Sequence, residues 1–307
     1  MMFSKIIHRL GLPILITCVF LTSWVWAQVA ADTGSKGNAP APGQQSAGTK
    51  QAFQVADRSE SLSQAPAPQL APAQANEHPL MPALQWAYQG MGNLEKITDY
   101  SATVVKRERI DGKLNEYDHM FVKIRHKPFS VYMYFLAPAK IKGQEVMYIE
   151  GTNDGLMYAH TVGIKDKMFG TVRIKPEGPV AMSGQHYPLT ELGILNLTKR
   201  LAEVAQEDIK YGECEVKFFK NAKINNRVCT CIQVVHPVPR RNFRFHLARI
   251  FVDDELNIPI RYESYEWPKD PGGAPELIEE YTYMNLKLNN GFTDADFDIK
   301  NPNYHFR

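Results

Sequence analysis

The stretch KPFSVYMYFLAP, Lys127 to Pro138, is largely apolar on both of its faces. At the two-residue period of a strand, Val131, Met133 and Phe135 point one way, and Tyr132, Tyr134 and Leu136 the other. A sheet with one face in water alternates instead between apolar and polar residues. The second face of this strand must therefore be covered. That requirement constrains the fold more than any other feature of the chain.

The flanking sequence supplies candidates for the cover. Leu80, Leu84, Ala87, Met91, Leu94 and Ile97 recur every three or four residues and predict an opening helix, with Pro79 and Pro82 in its first turn. Strand signals follow. Ser101 to Ile110 turns at Asp111-Gly112 into a strand carrying Met120, Val122 and Ile124. The opening stretch comes next, then 145–150, 155–161 and a weaker strand at 171–175. A second helix is predicted over 190–208, with Ile194, Leu197, Leu201 and Val204 as its apolar stripe and Thr190 as its cap. Strands resume at 214–220, 227–236, 245–252, 259–266 and 277–288. The helices are too few and too unevenly placed for alternating βαβ units. The expected fold class is α+β, mainly β: one large antiparallel sheet of about eleven strands, which its own twist should curl.

At this point a family resemblance is visible. Lys127-Pro128, the aromatic strand, Pro138, a further strand, and then Asp154-Gly155 leading into Leu156-Met157-Tyr158 resemble the bacterial periplasmic lipoprotein carriers. The ending, EEYTYMNLKLN followed by DFD and NPNYHF, resembles a family of secreted bacterial proteins known only as a domain of unknown function. The carrier resemblance runs through residues 80–300 in element order and is specific only between Lys127 and Tyr158. It implies an unclosed β half-barrel with helices covering the concave face. Val131, Met133 and Phe135 would then lie beneath the helices, and Tyr132 and Tyr134 on the convex face with their hydroxyls wet. The long tether and an Arg-rich segment have no place in the carrier pattern.

The chain has 307 residues, and its ends differ in kind. Lys5, His8 and Arg9 followed by the apolar run Leu10 to Val25 read as an export signal, with a small residue, Ala27, at the cleavage point. Retention as an anchor competes with removal, although the run is short for a bilayer span and contains Pro13. Lipid attachment at Cys18 is a third reading, weakened by Thr17 and by the depth of Cys18 in the run. Residues 28–77 are dominated by Ala, Pro, Gln, Ser and Gly. They carry too little apolar surface to offset an ordering cost of about 1–2 kcal/mol per residue, and are expected to form a disordered linker. Residues 78–307 suffice for one well-cored domain. The expected location is outside the cytoplasm, in the periplasm or cell envelope.

Cys214, Cys229 and Cys231 follow the signal segment. A hairpin turning at Asn225-Asn226 sets Cys229 opposite Ala222 and Cys231 opposite Lys220, with Cys214 beyond the roughly 7 Å Cα limit for a bridge. No disulfide is expected within it. Small buried side chains explain these residues better than metal or redox chemistry.

Catalytic signatures are scarce. There is no G-x-S-x-G, H-E-x-x-H or G-x-x-x-x-G-K-[ST] motif. Asp294, Asp296 and Asp298 imitate the start of a calcium loop, but Ile299 and His305 stand where that loop needs Gly and Glu. Glu279 and Glu280 are adjacent on a strand and point to opposite faces. The expectation is a protein without enzymatic activity, cofactor or metal. Formal net charge is +2, and nothing forms the concentrated basic face that nucleic acid requires.

A hydrophobic cavity needs only apolar walls. Each buried methylene is worth about 0.8 kcal/mol, so a dozen would give roughly 10 kcal/mol before costs. The residues alone leave a dry core and a ligand cavity equally open, and the resemblance favours the cavity. Its candidate lining is Met120, Val122, Ile124, Val131, Met133, Phe135, Met147, Leu197 and Leu201. Arg240, Arg241 and Arg244, interleaved with Phe243 and Phe245, are candidates for an anionic headgroup, a membrane surface or a protein partner. The expected ligands are lipid or lipoprotein acyl chains. The competing expectation is an interaction or regulatory module with a filled core.

Overall fold

The computed structural model describes residues 77–163 and 170–306. The expected leader, residues 1–27, lies outside the described residues, as does all of the expected linker except Glu77.

Twelve strands form one antiparallel sheet. Helix α1 (Met81–Leu94) precedes β1 (Asp99–Ile110), the short β2 (Lys113–Leu114), β3 (Asp118–Arg125), β4 (Ser130–Ala137), β5 (Glu145–Ile149), β6 (Met157–His160) and β7 (Thr171–Ile174). One helical turn, α2 (Pro179–Met182), leads to α3 (Ile194–Asp208). The second run comprises β8 (Glu215–Ile224), β9 (Arg227–Val235), β10 (Leu247–Asp253), β11 (Ile258–Tyr265) and β12 (Leu277–Leu288). Spatial order is β7-β6-β5-β4-β3-β1-β12-β11-β10-β9-β8, with β2 paired to β1 outside that path. Two meanders thus meet at one seam, β1 against β12, and the sheet stays open at β7 and β8.

Local sequence explains most element ends. Pro82 occupies the first turn of α1, where a missing amide proton costs little, whereas Pro79, expected in that turn, lies just before the N-cap residue Leu80. Asn225 and Asn226 turn the β8–β9 hairpin with φ of 48° and 65°, the left-handed conformation that asparagine tolerates. Two expectations shift. The first turn expected of the second helix is instead a 3₁₀ turn at Leu189–Glu191, and α3 starts after Gly193, whose φ is 119°. The Thr190 hydroxyl bonds the Glu177 carboxylate rather than capping the helix. In the hairpin Cys229 does face Ala222, but a register shift between Phe219 and Ala222 sets Cys231 opposite Phe219 instead of Lys220. Cys214, Cys229 and Cys231 are free thiols.

Both faces of β4 are covered, by different parts of the chain. Val131 and Met133 pack with Met120, Val122, Ile124, Leu94 and Ile194 on the helix side. On the other face Tyr132 and Met147 pack with Phe297, while Phe121, Tyr134, Phe292 and Tyr304 close around them. The expectation of a wet convex face fails here: Tyr132 is only 4% exposed because the C-terminal segment lies over it. That segment is pinned by charge. Lys123 reaches Asp296 at 2.8 Å and lies 5.1 Å from the Phe292 ring centroid, and Arg125 reaches Asp294 at 2.7 Å. Asp294 and Asp296 therefore serve the 3₁₀ turn Asp294–Phe297, in which Thr293 and Asp296 form a capping box.

Candidate functional site

Helices α1 and α3 pack on each other and lay their apolar sides on the β8–β11 half of the sheet. Between them and the sheet lies an apolar crevice. Leu84 and Trp86 come from α1, Leu201 and Val204 from α3, and Ile232 and Ala248 form the floor. The crevice encloses about 80 Å³, room for roughly half a dozen water-sized groups at about 10–15 Å³ each. Ligand pockets for larger molecules run to about 300–1,000 Å³. As it stands, the crevice cannot take a dozen methylenes.

Its polar lining is spent on the fold. Thr198 donates to the Ile194 carbonyl at 2.7 Å, which occupies its hydroxyl within α3. Asn257 accepts from the Trp86 indole, pinning α1 to the β10–β11 turn. Gly90 comes close to that same turn: a Cβ there would stand 3.3 Å from the Asn257 carbonyl oxygen. Tyr88 and Gln206 are hydrogen-bonded between the two helices.

The third polar lining residue, Asp208, belongs to a buried cluster at the C-terminal end of α3. Its Oδ2 lies 3.1 Å from His236 Nε2, and His236 Nδ1 lies 3.2 Å from the Glu213 carbonyl. The His236 ring stacks on Phe243 at 3.9 Å between centroids. Asp208 raises the Cys214 thiol further after burial has already pushed it up, to about 11.

The Arg-rich segment runs beside this cluster. Phe243 and Phe245 are buried, while Arg240, Arg241 and Arg244 are exposed. Arg240 grips Glu213 with two hydrogen bonds, at 2.9 and 3.1 Å. Arg241 and Arg244 have no ion-pair partner among the described residues. Two basic groups thus stand uncommitted on the loop that supplies Phe245 to the crevice wall.

Of the nine lining residues expected from the sequence only Leu201 borders the crevice. Met120, Val122, Ile124, Val131 and Met133 are buried in the main core, with Phe135 and Leu197 packed against it. Leu189, Leu192 and Ile194, at and just before the start of α3, pack into the same core. Met147 lies on the opposite face, against Phe297, where it borders a surface hollow of about 370 Å³. The crevice is lined instead by residues such as Leu80, Trp86, Ile232, Val234 and Phe245. Alternation at Ile232 and Val234 was the available signal.

A second cluster sits where the two meanders join. Glu108 and Glu279 are cross-strand partners on β1 and β12, 3% and 4% exposed. Tyr281 donates to Glu108 at 2.5 Å and Tyr187 to Glu279 at 3.0 Å. His186 Nδ1 lies 2.6 Å from Glu279 Oε2, and its Nε2 lies 3.1 Å from the Arg109 carbonyl. Both ring nitrogens face acceptors, which suits the imidazolium, and the hydrogen bond to Glu279 leads the influences that raise the His186 pKa. Glu108, His186 and Glu279 have the donor types of a metal site. The His186–Glu279 contact, however, is a proton-bridged one, and 2.6 Å is short for two ligands of one ion. Glu280 points the other way, accepting from Tyr117 at 2.7 Å and pairing with Arg261, so the two adjacent carboxylates serve opposite faces.

Solved structures with a similar course of chain include lipoprotein LppX of Mycobacterium tuberculosis, at 11% identity and a TM-score of 0.42 over 71% of this chain and all of that one. A putative outer membrane lipoprotein-sorting protein domain from Vibrio parahaemolyticus has 12% identity and a TM-score of 0.34, over 70% of this chain and 95% of that one. The MucA/MucB complex of Pseudomonas aeruginosa has 11% identity and a TM-score of 0.41, over 70% of this chain and 60% of that one. Comparison with curated proteins gave no significant match. Residues 97–306, more than half of the chain, match the family model described as protein of unknown function (DUF1571), and the chain belongs to that family.

Proposed function

We propose that this is an exported, non-enzymatic protein that binds lipid or the acyl chains of a lipoprotein between the helix pair and the sheet. The observation that carries the reading is the crevice, an apolar space between the helix pair and the sheet. Supporting it are the leader-like residues 1–27 and the linker expected over 28–77. The uncommitted Arg241 and Arg244 beside the crevice suit an anionic headgroup. Since about 80 Å³ is too little for a long chain, uptake requires α1 and α3 to move off the strands. The Trp86–Asn257 hydrogen bond is the polar pin that such a movement would break.

The test is direct. Protein purified from its host, extracted with organic solvent and analysed by mass spectrometry, should yield lipid, and the protein should take up the apolar dye N-phenyl-1-naphthylamine. Ala205→Phe, which fills the crevice, should abolish dye uptake while the variant still unfolds cooperatively. A clean extract together with no dye uptake would end this reading.

The narrowness of the crevice and the exposed arginines favour one other reading: an envelope protein that keeps a filled core and binds a protein partner through the Arg segment. Charge reversal at Arg240, Arg241 and Arg244 separates the two. Loss of a co-purifying protein with dye uptake intact favours the partner reading.

A further inference from the structure

We propose that the β9–β10 loop, residues 237–245, and the 3₁₀ turn after α3 together form a seat for an anionic bilayer. Val238 and Tyr211 enter the interface, and Arg241 and Arg244 bind lipid phosphates. The proposal goes beyond the lipid-binding reading, because it concerns an outer surface and does not require the crevice to open.

The loop is firmly held at one end of the sheet. At its base the His236 amide donates to the His246 carbonyl at 2.7 Å, and the Trp267 indole donates to the His236 carbonyl at 3.0 Å. Phe243 and Phe245 are buried and root the loop from within. Val238 stands between Pro237 and Pro239, whose fixed φ leaves the tip little freedom, and it is 49% exposed. Tyr211, also 49% exposed, ends the 3₁₀ turn Ile209–Tyr211 and meets the Phe243 ring edge-on at 6.0 Å between centroids. One exposed apolar residue is ordinary. Two of them on one rigid framework, beside arginines without an ion-pair partner, make an amphipathic patch suited to a membrane interface.

Charge selects the partner. Residues 237–245 contain three arginines and no acid. Arg240 is matched by Glu213 and Lys210 by Glu207, which leaves Arg241 and Arg244 as the surplus. Their guanidinium forks fit phosphate oxygens. The neighbouring β11–β12 loop carries Glu266, Asp270 and Glu276 against Lys269, and lies outside the seat. A stable protein interface buries about 800 Å² on each partner, more than two half-exposed side chains and a pair of arginines supply. A bilayer accepts such protruding groups one by one. The seat also adjoins the crevice, since Phe245 of the same loop forms part of its wall.

The experiment sediments the full chain with vesicles of phosphatidylcholine containing one quarter phosphatidylglycerol, at low and at high salt. Wild type should bind, and salt should weaken the binding. Arg241→Gln combined with Arg244→Gln should weaken it about thirtyfold and flatten the salt dependence. Val238→Ser should weaken it severalfold with the salt dependence kept. Residues 1–27 are common to all these proteins, so the differences report the loop. Tryptophan emission gives a local readout. Relative to wild type, Val238→Trp should shift to the blue on adding vesicles. Val228→Trp, at a position 47% exposed at the opposite end of β9, should not shift. Arginine variants that bind like wild type, or equal shifts at the two valine positions, overturn the seat. So does wild type that ignores the vesicles but loses a co-purifying protein in the arginine variants, the mark of a protein-docking loop. Dye uptake without vesicle binding ends the seat alone, and vesicle binding without dye uptake ends the crevice reading alone.

Discussion

The ring of Tyr304 stacks on that of Tyr132 with centroids 3.9 Å apart and planes 14° apart. Through this contact the C-terminal segment covers the second face of β4, and the Tyr304 hydroxyl adds a hydrogen bond to the Asp296 carbonyl at 2.7 Å. An aromatic pair contributes about 0.5–1.5 kcal/mol beyond its buried area. Tyr304→Ala should therefore destabilise by about 2–3 kcal/mol once the half-buried ring's area is counted, whereas Tyr304→Phe loses only the hydrogen bond, about 1 kcal/mol. Denaturant midpoints of the three proteins check the order. A Tyr304→Ala variant as stable as wild type would show that the segment does not hold the face closed.

His186 ties the segment between α2 and α3 to the seam of the sheet, and this tie depends on pH. Its folded pKa lies above the unfolded value, chiefly through the Glu279 hydrogen bond. The stabilisation is therefore complete below the unfolded pKa of about 6.5 and is lost as pH rises through the folded value. Wild-type stability should fall across that range, and His186→Gln should flatten the decline while lowering stability at pH 6. Parallel unfolding curves at pH 6 and pH 8 for both proteins measure the difference. Equal slopes would remove His186 as the cause.

The distinction between what was legible and what was not follows from range. Strand and helix periods are local, so the order of elements, the Asp111-Gly112 and Asn225-Asn226 turns and the open antiparallel sheet could be read from short windows. The double apolar face of β4 correctly demanded two covers, but the identity of the second depended on residues some 160–170 positions away. Phe292, Phe297 and Tyr304 carry no strand or helix period, and the contact that sets them over β4 runs through Lys123 and Arg125. Crevice placement was not legible because it is set by unfilled volume. Met120, Val122 and Val131 are as apolar as Ile232 and Ala248, and only the packing of Leu189, Leu192 and Ile194 decides which set meets empty space.

Asp253 should govern the acid limb of stability. Its side chain is 1% exposed, pairs with Arg227 through Oδ1 and Oδ2, and accepts the amides of Glu255 and Leu256 at 3.0 and 2.9 Å. Burial works against its ionisation, yet Arg227 and the two amides outweigh burial and leave the folded pKa below the ordinary 3.8. The contribution is present above about pH 3.8 and disappears as pH falls through the folded value. Asp253→Asn should cost about 2 kcal/mol at pH 7 and progressively less toward pH 3. A cost that stays constant with pH would mean that the carboxylate's charge is irrelevant to the turn.

Tyr100 sets where α3 begins. It is fully buried, and its hydroxyl accepts the Ile194 amide at 2.8 Å, one of the first-turn donors that a helix cannot satisfy itself. The same hydroxyl would stand 3.0 Å from a Cβ at Gly193, whose φ of +119° already disfavours any side chain. Tyr100→Phe leaves that amide buried and unpaired, at an expected cost of about 1–3 kcal/mol. Gly193→Ala should cost at least as much through backbone strain together with the close contact. Because both changes act at one point, the double variant should lose less than the sum of the two single losses. Hydrogen exchange at the Ile194 amide reads the effect locally, and should quicken in Tyr100→Phe by more than global destabilisation explains. Protection that falls only in step with overall stability would place the start of α3 under the control of packing rather than of this hydroxyl.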